Sequence, residues 1–252
     1  MPGETAMYVY GIVPGDVEPE DHATGVGDPP GRITVVRQGD VAALVSEVPI
    51  GRPLGTPDDL TAHARLLDGS AAVAPVLPLR FGAVLTDADA VQEELLKSHE
   101  DTLRTALGEL EGRAQFVIRG RYVEKAILRE LLESDPEVQR LRAEIRDKPE
   151  DATRNERIAL GEMINNAIEQ RRAADTDRVV GALDDLDPLV NLRPPTHEEE
   201  AVHVAVLIEL ERQGELEQKL TELAEEWDGR VELSLLGPMA AYDFVAAPEP
   251  EG

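Results

Sequence analysis

The residues with the widest chemical range in this sequence are five histidines, His22, His63, His99, His197 and His203. His197 and His203 stand six apart beside Glu198–Glu200, a grouping with the right atoms for a metal. The spacing argues against it: alternation along a strand puts His203 on the face opposite Val202, Val204 and Val206, while His197 falls in the preceding loop. They do not share the one-turn helical face on which paired histidines grip zinc, so both are expected at ordinary polar positions and no metal is expected. The chain has no cysteine, which removes disulfides, thiolate nucleophiles and cysteine-ligated zinc. Ser46, Ser70, Ser98, Ser134 and Ser234 all lack the strand-turn-helix setting of a nucleophile elbow. Gly25-Val-Gly-Asp-Pro-Pro-Gly31 looks superficially like a phosphate loop. Two prolines follow where a helix N-terminus is needed, so a plain loop is expected. Carboxylates are so abundant that pairs such as Asp58-Asp59, Asp184-Asp185 and Glu225-Glu226 read as helix starts or solvated faces. The residue types point to no catalytic group and no cofactor. His63, one turn before Leu66 and Leu67, is instead a candidate helix-surface or interface residue.

The bulk properties narrow the partners. Among 252 residues there are 51 acidic and 25 basic ones, a net charge of −26. The acidity is spread over both halves of the chain, so phosphate backbones and anionic membranes are repelled; neither nucleic acid nor membrane is an expected partner. Aromatics are 3% of the chain, too few for stacking platforms, and the cores must be filled by Leu, Val, Ile and Ala. The first residues lack a basic region and a long apolar stretch, so no secretory leader is expected. No run approaches about 18 apolar residues, so no membrane span is expected. An intracellular protein is the default reading.

The elements that would position these residues fall into two groups. Residues 7–13 read as a strand ended by Pro14-Gly15, and 14–31, rich in Pro and Gly, as a loop. Ile33–Arg37 and Val41–Glu47 read as a hairpin across Gln38-Gly39-Asp40. Thr56 is an N-cap ahead of Pro57, with a helix expected to about Ala72. The Pro-flanked stretch 76–85 is an edge or irregular strand. Leu79 and Phe81 within it are expected in the core, while Arg80 is the better interaction candidate. From Thr86-Asp87, the spacing of Val91, Leu95, Leu96, Leu103, Leu107 and Leu110 predicts one helix closed by Gly112. Beyond it come a strand at 115–122, helices over 124–132 and 134–145, a linker at 147–153, and a long helix over 155–180. The stripe of that long helix is Ile158, Met163, Ile164, Ala167 and Ile168. Short strand 189–192, strand 201–210, helix 215–227 and strand 230–236 follow, the last expected to end at Gly237-Pro238. The second group gives the order βαββαβ, the ferredoxin-like pattern with an extended helical insertion. The expected fold class is α+β in two domains, an N-terminal α+β domain over 1–112 and a ferredoxin-like domain over 113–245, with a disordered tail over 246–252.

Three stretches taken together resemble the gas vesicle protein F/L family. They are Met7-Tyr-Val-Tyr-Gly-Ile-Val13 with the hairpin segment 39–48; Pro75-Val-Leu-Pro-Leu-Arg-Phe-Gly82, preceded by the helix carrying His63; and the ending Leu236-Gly-Pro-Met-Ala-Ala-Tyr-Asp-Phe244. Residues 161–175 also look like the long helix of the family's C-terminal domain. One departure is visible, since Met239-Ala240-Ala241 stands where the family ending usually has an aromatic residue and prolines. The resemblance implies an accessory or minor structural protein of gas vesicles, located at the vesicle and cytoplasmic before assembly. The partners it implies are the small hydrophobic main shell protein, gas vesicle protein A, and other accessory proteins, with no reaction or cofactor. A subunit destined for a gas-facing wall exposes apolar surface before assembly, and a strongly charged partner keeps such complexes in solution. The alternative is a small-molecule-binding protein or enzyme on a ferredoxin-like fold, a fold that hosts many chemistries.

Overall fold

The computed structural model describes residues 5–51, 53–134, 136–149 and 152–245. The chain gathers into two compact units. One comprises Met1–Phe116 with Leu207–Glu211 and Gly237–Gly252, the other Val117–Val206 with Arg212–Leu236. Neither unit is continuous in sequence, whereas the domains read from sequence divide the chain once, after residue 112. The expected tail at 246–252 lies outside the described residues.

In order, the elements are β1 (Thr5–Pro14), β2 (Thr34–Gln38), β3 (Val41–Pro49), α1 (Pro57–Ala71), β4 (Leu77–Pro78), β5 (Val84–Leu85), α2 (Ala88–Ala90), α3 (Glu100–Leu110), β6 (Arg113–Tyr122), α4 (Glu124–Ser134), α5 (Pro136–Ile145), α6 (Arg154–Ala182), β7 (Leu189–Leu192), β8 (Glu200–Glu209), α7 (Gln213–Glu226) and β9 (Val231–Met239). They form two antiparallel sheets, ordered β2-β3-β1-β4 and β7-β8-β6-β9, with β5 also pairing with β1. Numbered within its own βαββαβ set, the second sheet runs 2-3-1-4. That is the ferredoxin-like order, and the fold is α+β in two domains.

The first sheet is buried on both faces. Val41, Ala43 and Val45 of β3 face a core completed by Leu95, Leu96, Leu103 and Leu107. Ala42, Leu44 and Val48 face a second core closed by Leu67 and Ala71 of α1. β1 carries a bulge, because its pairing with β3 steps from Val9↔Val45 to Gly11↔Leu44 and leaves Tyr10 between them. One extra residue inverts the alternation of faces. Tyr8, Tyr10 and then Val13 therefore share the α1 face, while Val9 and Ile12 share the other. Gly11 permits the bulge to approach α1 and β4, since a Cβ there would lie 2.7 Å from the Leu77 carbonyl oxygen and 2.8 Å from Leu67 Cδ2.

Two expectations about helices need correction. The helix expected from Thr86-Asp87 to Gly112 is not one α-helix: between α2 and α3 lie a π-helix over Val91–Leu96 and a 3₁₀ turn over Lys97–His99. At about 100° per residue, an unbroken helix would set Val91 and Leu95 well off the Leu103–Leu107–Leu110 stripe. The wide turn adds a residue and brings both sets to one face, where all five are buried. The α6 stripe is a face without full cover. Ile158 is 53% exposed, Met163, Ile164, Ala167 and Ile168 are half-buried, and the buried positions of this helix are Asp175 and Val179. Helical spacing defines a face but supplies no neighbour. The last strand also runs further than expected, continuing through Gly237-Pro238 to Met239.

Candidate functional site

In the first unit a groove of about 930 Å³ runs between α1 and the loop at 14–31. Its floor includes Val17, Leu44, Ala62 and Leu66, and its rim Glu18, Glu20, Asp28, Asp58 and Arg65. The outer wall has little regular structure, holding only the isolated Thr24↔Arg32 bridge. Buried polar side chains hold it in place. Gly25 N donates to Gly31 O at 2.8 Å and Gly31 N to Val26 O at 3.1 Å, folding the glycine-rich stretch on itself. Val26 N donates to Tyr10 Oη at 2.8 Å, and the same oxygen lies 2.8 Å from Ser46 Oγ. Gly25 must be glycine here, as a Cβ would collide with Tyr10 Oη.

Asp59 ties the wall to the helix. Thr56 caps α1, with Asp59 N donating to Thr56 Oγ1 at 3.2 Å and Thr56 N donating back to Asp59 Oδ2 at 3.1 Å. This is a reciprocal capping box. The other carboxylate oxygen accepts from Gly27 N at 3.0 Å, and Gly55 N donates to Oδ2 at 3.3 Å. Burial alone would push the carboxyl up, but the donors from Gly27, Thr56 and Gly55 outweigh it and hold the group down to about 2. A residue expected only as a helix-start acid is thus the joint between helix and wall.

Behind the groove lies an aromatic cluster. His63 is buried, 4% exposed. Its Nδ1 lies 2.9 Å from Tyr8 Oη, which also accepts from Gly82 N at 3.1 Å. Its ring stacks on Tyr10, with centroids 5.7 Å apart, and meets Phe81 edge-on at 5.5 Å. Nε2 has no hydrogen-bond partner among the described residues, while the Leu79 backbone acts to raise the pKa. Burial dominates and lowers it, keeping the imidazole neutral. Burial also pushes the Tyr8 and Tyr10 phenols up. His63 is therefore inside and joins α1, through Tyr8, to the 75–85 segment. Leu79 is buried, as expected of a core residue. Phe81 packs against the core from a half-buried position, and Arg80 between them is exposed. The structure brings the two candidate interaction residues into one neighbourhood, with Arg80 outside and His63 within.

The second unit holds a partly buried ionic network, centred on buried Asp175, that the sequence reading missed. Arg230 Nη2 donates to both oxygens of Asp175, at 3.0 and 2.7 Å, and its Nε to Glu130 at 2.8 Å. Arg171 holds the other oxygen of Glu130 at 2.8 Å. Tyr122 Oη donates to Asp175 at 2.7 Å, and the Arg230 guanidinium lies over the rings of Tyr122 and Trp227. Burial, then the bond to Asp175, raise the Tyr122 phenol. A smaller pocket of about 270 Å³ lies between α6 and the β7–β8 hairpin. His203, expected at an ordinary polar position, lines it and is buried beneath α6. Its Nδ1 lies 3.6 Å from Glu200 Oε2. His197 is exposed in the preceding loop. Among the described residues no group of three or more metal-ligating side chains converges, and no helix is long and apolar enough to cross a membrane.

The profile of the family described as "Gas vesicle synthesis protein GvpL/GvpF" matches residues 6–246. The chain belongs to this family. Gas vesicle protein F of a Streptomyces species is 31% identical over 244 residues, covering 95% of this chain and 99% of that protein. Gas vesicle protein F of Dolichospermum flosaquae is 24% identical over 240 residues, covering 94% and 96%. The crystal structure of GvpF from an Anabaena species superposes with a TM-score of 0.82 at 23% identity, over 95% of this chain and 98% of that one. GvpF from Microcystis aeruginosa gives 0.76 at 21%, with the same coverage. These two likenesses show the shared fold. Membership of the GvpL/GvpF family ties the chain to the gas vesicle system, and it spans nearly the whole length of the relatives it matches.

Proposed function

We propose that this GvpL/GvpF-family protein is a non-enzymatic accessory protein that binds the small hydrophobic shell protein and other accessory proteins while vesicles assemble, acting in the cytoplasm before it reaches the vesicle. The observation that carries the reading is the family match across residues 6–246. The surface is consistent with docking: beside the groove, Leu60 is 49% and Val73 85% exposed, large apolar groups left in water. Exposed Arg80 projects from a segment whose neighbours are anchored in the core. Arg80→Ala is therefore expected to weaken capture of vesicle proteins several-fold while leaving the thermal transition nearly unchanged. A transition lowered by several degrees would instead assign Arg80 a role in stability.

The test is capture of purified shell and accessory proteins by the tagged full chain over a range of salt concentrations, since salt weakens charge-driven docking and spares apolar contact. A chain that captures none of them would sink the reading. The groove volume also falls in the range of small-molecule sites, so native mass spectrometry of the purified protein checks the rival: a stoichiometric metabolite would favour a ligand-binding protein or enzyme.

A further inference from the structure

The groove beside α1 has the shape and charge of a seat for a rod. We propose that it receives an amphipathic helix of a partner, one that buries an apolar face and presents lysine or arginine to the rim. The assignment of that partner to the vesicle rests on the accessory reading above; the chemistry of the seat does not.

The shape comes from α1 itself. The groove touches Asp58, Ala62, Arg65, Leu66 and Gly69 along one face of α1, and Val73 just beyond its C-terminal end. A 15-residue helix is about 22 Å long at ~1.5 Å per residue. Spreading about 930 Å³ over that length leaves a cross-section of roughly 40 Å². A helix about 10 Å across fills roughly 80 Å², so the groove takes in about half of one lying alongside α1. The other half stays in water, which is the division an amphipathic helix makes.

Gly69 supports the same occupant independently. It sits in the interior of α1, where glycine weakens a helix relative to alanine. A Cβ there would meet nothing within 4 Å, so no packing inside the chain requires the missing side chain. With Ala62 one face-repeat earlier, it leaves α1 low enough for a second backbone to approach at helix-packing distance. The charge selects the occupant's sign. Glu18, Glu20, Asp28 and Asp58 on the rim are exposed, against Arg65 as the cation among the lining residues. Glu18 is partly neutralised by Arg37 at 2.6 Å.

The test uses the full-length protein and synthetic 18-residue helical peptides, with leucines at i, i+3, i+4 and i+7 and lysines on the opposite face. A version with glutamate for lysine and a scrambled version serve as comparators, all read by fluorescence anisotropy. The lysine peptide should bind at least tenfold more tightly than either comparator. Gly69→Leu, which fills the groove, should lose at least tenfold, while Gly69→Ala keeps binding; both variants should melt no lower than the parent. Glu20→Lys with Asp58→Lys should weaken the lysine peptide and reduce its salt dependence. Equal binding of the lysine and glutamate peptides overturns the proposal, as does undiminished binding by Gly69→Leu. Capture of purified shell and accessory proteins separates the two ideas. If the unmodified chain captures none while the lysine peptide binds, the accessory reading falls and the seat stands. If the Gly69→Leu chain keeps both the lysine peptide and the captured proteins, the seat falls and the accessory reading stands.

Discussion

Replacing Asp59 with asparagine should uncouple the groove wall from α1 and leave a signature in acid. In the native protein the carboxylate accepts from the amides of Gly27, Gly55 and Thr56 and from the Thr56 hydroxyl. Its pKa is held at about 2 against an ordinary 3.8. That difference of nearly two units corresponds to roughly 2.5 kcal/mol at ~1.4 kcal/mol per unit. The sign follows from the depressed folded value: the stabilisation is fully present above pH 4 and is lost as pH falls from about 4 towards 2. Asp59→Asn keeps the shape and one acceptor oxygen but removes the charge. It should cost about 2 kcal/mol in urea denaturation at pH 7, and the deficit should close as pH approaches 2. Amide exchange read by mass spectrometry should locate the loss, with peptides spanning residues 23–33 exchanging faster in the variant. A deficit that stays constant between pH 4.5 and 2 would refute the electrostatic account. Unchanged exchange at 23–33 would refute the claim that Asp59 holds the wall.

Other perturbations follow from the same geometry. Because His63 is buried with its pKa lowered, the unfolded chain binds a proton below pH 6.5 that the folded chain refuses. Stability should therefore fall as pH drops below 6.5, by at most about 1.4 kcal/mol per unit, and thermal melts of His63→Phe at pH 7.5 and 5.5 should show a smaller difference than the parent. Asp175→Ala leaves Arg230 and Tyr122 without their shared carboxylate. Breaking a buried pair by removing one member costs about 3–5 kcal/mol. With Arg230 partly exposed and still held by Glu130, the expected cost is smaller, about 1–3 kcal/mol, measurable as a lower urea midpoint reported by Trp227 fluorescence; an unchanged midpoint would show that the network adds nothing to stability. Gly25→Ala, which drives a methyl into Tyr10 Oη, should cost about 1–3 kcal/mol from overpacking, and the double change with Tyr10→Phe should recover part of it.

Local grammar made much of the fold legible. Thr56-Pro57 announced α1 because a cap and a proline act within a few residues of themselves, and the cap is found with its reciprocal carboxylate. The βαββαβ order gave the second sheet because connectivity restricts how strands can lie. Facts set by non-neighbouring residues were hidden. The π-helix at Val91–Leu96 answers to a core that Leu103 and Leu107 also serve, so it shows only as a phase slip between two apolar sets, which the sequence does carry. Ile158 lies on a good stripe, yet nothing in its own helix says whether a neighbour will cover it. At the groove, Asp59 reads as one more first-turn acid; its bond to Gly27 spans 32 residues and leaves no local mark. Tyr8 and Tyr10 offered the best missed signal. Two phenols two residues apart on one strand share a face and must each find a polar partner once buried, and those partners proved to be His63, Gly82, Ser46 and Val26.

The order in which the chain is made meets an obstacle in the first unit. Its two cores contain Leu207, Ala240 and Ala241, and the amide of Ala240 donates to Asp68 on α1 at 3.1 Å. A ribosome delivers Ala240 and Ala241 only after the whole of the other unit has emerged. The amino-terminal part must wait, incompletely sealed, until the carboxy-terminal turn arrives to plug it, and a nascent chain stalled before residue 237 would display apolar surface that the finished protein conceals.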